Sequence, residues 1–200
     1  MLSHLRPALV MLIGFSLLTG VLYPMAITGI AQAVFPWQAS GSLIERGGHV
    51  VGSALIGQNF AGPTYFHPRP SATTEPDPKD ASKTIPVPYA ADNSAGSNLG
   101  PTSKALVDRV TDEVAKRRAE NPSAALPGDL LTTSASGLDP DISPAAADFQ
   151  VPRVAKARGL SEDAVRGILA AHTEGRFLGI FGEPHVNVLA LNLALDDAHQ

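Results

Sequence analysis

The apolar stretch from Pro7 to Phe35 constrains this chain more than any other feature: it carries no charged side chain and reads ALVMLIGFSLLTGVLYPMAITGIAQAV from Ala8 to Val34. About 20 apolar residues cross a hydrocarbon layer at about 1.5 Å per residue. The charge-free run extends from Arg6 to Glu45, so the pattern predicts a membrane-spanning helix over 7–35. In lipid every backbone N–H needs a partner inside its own segment, which a helix supplies. Gly14, Gly20 and Gly29 leave narrow faces where another helix can approach, and Pro24 is expected to kink the far part without ending the span. Pro36-Trp37 falls where an interfacial aromatic anchor belongs. The competing reading is a cleaved secretory signal, because Ala31-Gln32-Ala33 matches the small-x-small cleavage pattern. The apolar region of a signal runs about 7 to 15 residues, and the one here is about twice that length before the site is reached, so the anchor is expected to stay attached.

The flanks set an orientation. Arg6 precedes the span and no Lys or Arg follows it until Arg46. The positive-inside rule therefore places residues 1–6 in the cytoplasm and 36–200 outside. With 200 residues and about 165 of them past the anchor, there is room for one soluble domain with its own core. The net charge is −4 with no basic stripe, which argues against a nucleic-acid partner. There is no Cys, so disulfides and thiolate metal sites are excluded. Gly and Pro number 18 and 17 and aromatics are sparse, which points to a loop-rich domain.

After Trp37, Gly47-Gly48 lies between the apolar pairs Leu43-Ile44 and Val50-Val51. Two glycines supply the positive φ of a tight turn, so a β-hairpin is expected. Ala61 to Pro101 holds eight of the 17 prolines and shows no period. It reads as an extended loop, with 73–89 a low-complexity flexible insert and Tyr65–Ala72 and Gly96–Pro101 more specific. The next segment carries Leu106, Val107, Val110 and Val114 at helical spacing, with Thr102 or Ser103 as cap and Pro122 as stop, an amphipathic surface helix. A second helix starts at Ser143-Pro144 and ends at Gly159, with Pro152 expected to bend or divide it. A third begins at Ser161, with Glu162 and Asp163 at its positive end, and runs to about His172. Residues 187–197 fit both an alternating strand and a helix face; Ala and Leu dominate, which favours helix. The expected fold class is α+β: one N-terminal transmembrane helix, then a single loop-rich soluble domain with a small β-hairpin or sheet and three to four helices.

No complete catalytic set is present. Gly52-Ser-Ala-Leu-Ile-Gly57 has the glycine spacing of a phosphate loop, but Gln58-Asn59 stand where Lys and Ser or Thr are required, so a structural turn is the better reading. There is no Asp-Lys-Thr-Gly, no His-Glu-x-x-His and no Gly-x-Ser-x-Gly. Asp139 and Asp141 in the turn Gly137–Ser143 are too few for Ca²⁺, and Asp before Pro usually bonds its own backbone. His67, in Tyr-Phe-His-Pro-Arg-Pro, is expected to be a packing or surface residue. Arg153, Lys156 and Arg158 read as a solvated basic face near a helix C-terminus, with a partner contact as the alternative. No catalytic and no metal-ligating residue is assigned, and no cofactor-binding residue is identified.

Eight stretches together resemble one family: LRPAL (5–9), FPWQASGSLI (35–44), GSALIGQNF (52–60), YFHPRPSA (65–72), GSNLGP (96–101), TSASGLDPDIS (133–143), QVPRVAKARGL (150–160) and GEPHVNVLALNLALD (182–196). In this order they are similar to the C subunit of the bacterial Kdp potassium-transporting ATPase. Two departures stand out: Asn93-Ser-Ala-Gly-Ser-Asn-Leu99 replaces the usual Ala-Ser-Gly-Gly-Ser-Asn-Leu, and 73–89 is longer than the common version. The resemblance implies a non-catalytic subunit of the cell inner membrane. Its partners would be a P-type ATPase subunit, a channel-like potassium-selecting subunit and a small fourth subunit. It further implies a catalytic-chaperone role that raises the ATP affinity of the pump subunit, with ATP held only as part of the complex. The alternative is a purely structural assembly or gating subunit on the channel-like partner. An outer domain on the far side of the membrane can influence a cytoplasmic nucleotide only indirectly, by favouring one conformation of the pump.

Overall fold

The structure is a computed structural model in which residues 2–198 are described. The chain divides into two compact units, Met1–Ser53 and Ala54–Gln200. In the first, one continuous helix covers Leu5–Val34, its most apolar window having a mean hydropathy of 2.0 and no part buried. It is long and apolar enough to cross a membrane. The helix is built from α1 (Leu5–Leu17), a π-helical turn (Leu18–Leu22) and α2 (Tyr23–Val34). Pro24 explains the wide turn. It has no N–H, and its ring presses on the carbonyl one turn back, so the ladder takes in an extra residue and Tyr23 N–H bonds to Leu18 O, five residues earlier. A short helix, α3 (Pro36–Ala39), follows, and Trp37 Nε1 donates to Leu43 O at 2.9 Å. The expected hairpin is present as β1 (Leu43–Arg46) and β2 (His49–Ser53), with Gly47 and Gly48 at φ +59° and +79°.

The second unit is α+β. Strands β5 (Asp141–Ile142), β7 (His185–Asn187) and β6 (Thr173–Glu174) form an antiparallel sheet in that spatial order. Three helices pack with it: α5 (Pro144–Arg158), α6 (Glu162–Ala171) and α7 (Val188–Ala198). Their caps are local. Ser143 Oγ accepts Ala146 N–H at 3.0 Å, Ser161 Oγ accepts Ala164 N–H at 3.2 Å, and Asn187 Oδ1 accepts Ala190 N–H at 3.0 Å. Gly159 at φ +67° ends α5. The core gathers Phe66, Leu130, Ile142, Phe149, Val151, Val154, Val165, Val186, Leu191 and Leu195. The ambiguous C-terminal stretch is thus a helix, because Val188, Leu191, Asn192 and Leu195 share its buried side and the strand stops at the capping Asn187.

Three expectations change. α5 runs unbroken through Pro152; the carbonyl that loses its donor belongs to Asp148, an exposed residue that water can serve. The stretch expected to be a flexible insert over 73–89 is an antiparallel hairpin of β3 (Thr74–Asp77) and β4 (Asp80–Pro86), its register shifting between Pro76 and Asp77. Its turn is closed by Asp77 Oδ1 accepting Lys79 N–H at 2.8 Å, and its base by Val87 N–H to Thr73 O at 3.1 Å and Thr73 Oγ1 to Val87 O at 2.6 Å. The third change is in α4 (Lys104–Glu120), which buries no residue fully; Val107 is 56% exposed, and Arg109, Glu113, Arg117 and Glu120 share the inner side with Leu106, Val110 and Val114.

Candidate functional site

Polar side chains, together with Phe66 buried in the core, hold the long proline-rich segment to the helices. Buried Asn192 of α7 accepts Phe66 N–H at 2.8 Å and donates to Phe66 O at 3.0 Å. Gln150 of α5 does the same for His67, at 2.8 and 3.1 Å. Arg158 donates from Nε to Thr64 O at 2.6 Å, pairs with Asp196 at 2.8 Å, and lies 5.1 Å over the Tyr65 ring. Arg153 donates to Pro63 O and Tyr65 O at 2.7 and 3.0 Å and pairs with Glu120 of α4 at 2.7 Å. The basic face expected at 153–158 is therefore not solvated as a whole. Arg158 is 8% exposed and Arg153 faces inward, both bound to backbone carbonyls of the proline-rich segment, while Lys156 alone is exposed.

These contacts shift two titrations. His67 lies below its ordinary value because burial and the Arg153 charge disfavour the imidazolium, although its Nε2 sits 3.0 Å from Gly62 O. For Glu120 burial acts upward, but hydrogen bonds and charge from Arg153 and Arg117 more than offset it and hold the carboxyl below its usual range.

The two stretches singled out by sequence meet. Gly57 N–H donates to Leu138 O at 2.8 Å, and a Cβ on Gly57 would lie 2.5 Å from Asp139 O and against the Tyr89 ring. The glycine serves close backbone approach and leaves no space for a phosphate there. Tyr89 OH donates to Arg69 O at 2.9 Å, and burial together with the Asp139 charge pushes its phenol upward. Arg69 pairs with Asp139 at 2.9 Å, and the other oxygen of Asp139 accepts Asp141 N–H at 3.1 Å. Ser71 Oγ donates to Gly137 O at 2.7 Å, and Gly137 has φ +69° with Ala95 O where a Cβ would be. Sequence reasoning gave no means of pairing these loops, because the partners lie up to about 80 residues apart and, the Arg69–Asp139 ion pair aside, the bonds are to backbone atoms. Among the described residues no three His, Cys, Asp or Glu side chains gather as a cation would need.

Beside this knot lies an open groove of about 790 Å³ lined by Arg69, Asp129, Asp139, Asp141, Glu174, Phe177, Phe181, Glu183 and His185, among others. Asp141 is raised above its ordinary value by burial, which the nearby His185 and Asn187 only partly oppose. The loop between β6 and β7, absent from the sequence reading, forms one wall and turns its apolar tip outward. Its signal was Phe177-Leu-Gly-Ile-Phe181, five residues without a polar side chain between Arg176 and Glu183.

The architecture is that of a chain with one helix able to span a membrane, followed by an α+β domain whose loops are locked by side-chain to backbone bonds. The family described as "K+-transporting ATPase, c chain" matches residues 5–197. A "Potassium-transporting ATPase KdpC subunit" of Rhodopseudomonas palustris is 66% identical over 198 residues, 99% of this chain and 100% of that protein. Proteins of the same description from Methylobacterium nodulans and Bradyrhizobium diazoefficiens are 65% and 64% identical, each over 98% of its own length. The chain belongs to the family of c chains of K⁺-transporting ATPases.

Proposed function

We propose that the chain is the non-catalytic subunit of a Kdp-type potassium-uptake ATPase. In this reading the helix Leu5–Val34 spans the inner membrane, residues 1–6 are cytoplasmic and residues 36–200 extracytoplasmic. Its partners are the P-type ATPase subunit, the channel-like potassium-selecting subunit and a small fourth subunit. Its effect on ATP is indirect: binding one conformation of the pump better than another raises apparent ATP affinity without contact.

The observation that carries the indirect reading is Gly57. Its amide is bonded to Leu138 O, and the space beside it is filled by Asp139 and Tyr89, so the glycine loop Gly52–Gly57 supports a structural role. The test is a complex in which this chain ends at Ser53. An assembled pump with a raised KM for ATP supports coupling through the outer domain. A complex that dissociates favours the second reading, a purely structural assembly subunit, for which the interlocked loops argue because they make a rigid docking body.

A further inference from the structure

The loop between β6 and β7 is a self-supporting finger. Phe177 and Phe181 pair across it, with Phe177 N–H to Phe181 O at 2.9 Å and Phe181 N–H to Phe177 O at 3.0 Å. Gly179 N–H donates to Arg176 O at 2.9 Å, and Arg176 pairs with Glu183 at 2.7 Å across the base. Leu178 and Gly179 take positive φ, +53° and +73°, to turn the chain. Four large apolar side chains result that touch no core: Phe177, Leu178, Ile180 and Phe181 are 72, 74, 73 and 62% exposed. Outside the membrane helix the described residues hold no second run of large apolar side chains exposed to this degree; Leu55, at 63%, is a single side chain. A finger fixed by its own backbone bonds but bare at its tip is a surface built to be covered.

The charge around it chooses the occupant. Segment 173–187 carries one Arg, itself paired with Glu183, against two Glu, with His185 3.7 Å from Glu174; the adjoining groove adds Asp129, Asp139 and Asp141 against Arg69, which is paired with Asp139, so carboxylates remain in excess. A loop that dips into a bilayer needs Lys or Arg to meet anionic headgroups, and these carboxylates repel them. We infer that the finger 176–183 seats in an apolar socket bordered by Lys or Arg on another subunit of the same membrane assembly, the carboxylates of Glu174 and Asp141 meeting that basic border. This rests on the assembly reading above and names the element that docks.

The experiment uses the full chain co-expressed with the other subunits, with a benzophenone-bearing residue at position 180 and, separately, the variants Leu178→Ser with Ile180→Ser, and Glu174→Lys. The expected result is a light-induced cross-link to another subunit. Retention of the partners should fall about tenfold in the double variant, as when the anchor of an interface is removed. Glu174→Lys should weaken retention too, most strongly at low salt. An unchanged melting temperature of the isolated variants excludes misfolding. Cross-links to lipid or to a second copy alone, or full retention by the double variant, overturn the inference. If the unmodified chain itself fails to retain the other subunits, the assembly reading falls instead.

Discussion

The segment Pro63–His67 and the finger 176–183 are both irregular, both carry Gly or Pro, and differ in where their bonds go. The backbone of 63–67 is bound by Arg153, Arg158, Gln150 and Asn192 from α5 and α7, and Phe66 is fully buried. The finger's bonds are internal apart from Glu183 O, 3.1 Å from the His185 ring, and its apolar residues face solvent. Buried backbone groups must be paired, and where no strand is available side chains do it, fixing the loop to one arrangement. An exposed loop needs no such partners and its side chains are released for contact. The first device makes a scaffold and the second makes a surface.

The comparison breaks most sharply at Asn192. Replacing it with Ala strands both backbone groups of buried Phe66, so a loss of about 3 kcal/mol is expected in denaturant unfolding of the full chain; a loss below about 1 kcal/mol would show that 63–67 is held by apolar contact alone. Gly57→Ala comes next, at about 2 kcal/mol, because its Cβ meets the Asp139 carbonyl and the Tyr89 ring, neither of which is a flexible end.

A smaller effect is expected from pH. His67, lowered from 6.5, favours the neutral form in the fold, so its contribution is complete above pH 6.5 and is lost as pH falls through its folded value. The melting temperature should be lower at pH 5.5 than at 7.5, and His67→Gln should shrink that difference. Glu120, also lowered, adds a loss of the same sign below about its ordinary 4.5, whereas Asp141, raised above 3.8, acts with the opposite sign in the carboxylate range. The smallest effect belongs to the finger: Leu178→Ser with Ile180→Ser should change stability by less than about 0.5 kcal/mol, since neither side chain packs on the core.

Much of the fold was legible where one residue sets local geometry. Gly47-Gly48 specified the first hairpin, Ser143, Ser161 and Gly159 the bounds of two helices, and the uncharged run the long N-terminal helix. The hairpin at Thr74–Pro86 was not, because its strands carry Pro76 and four charged residues and face solvent, so neither alternation nor apolar content marks them. The inward turn of Arg153 and Arg158 was hidden for another reason. A basic residue near a helix end looks solvated unless the carbonyls it binds are known, and those lie about 90 residues earlier. The meeting of Gly57 with Leu138–Asp139 was likewise hidden, although both stretches drew attention as turns.

The central claim, that the second unit lies outside and acts on ATP only through conformation, is tested most directly by Ala81→Cys, an exposed position in a chain with no Cys of its own. Labelling by a membrane-impermeant maleimide in intact cells is the predicted result. Protection in intact cells with labelling only after the membrane is opened would contradict it and place the domain on the nucleotide's side.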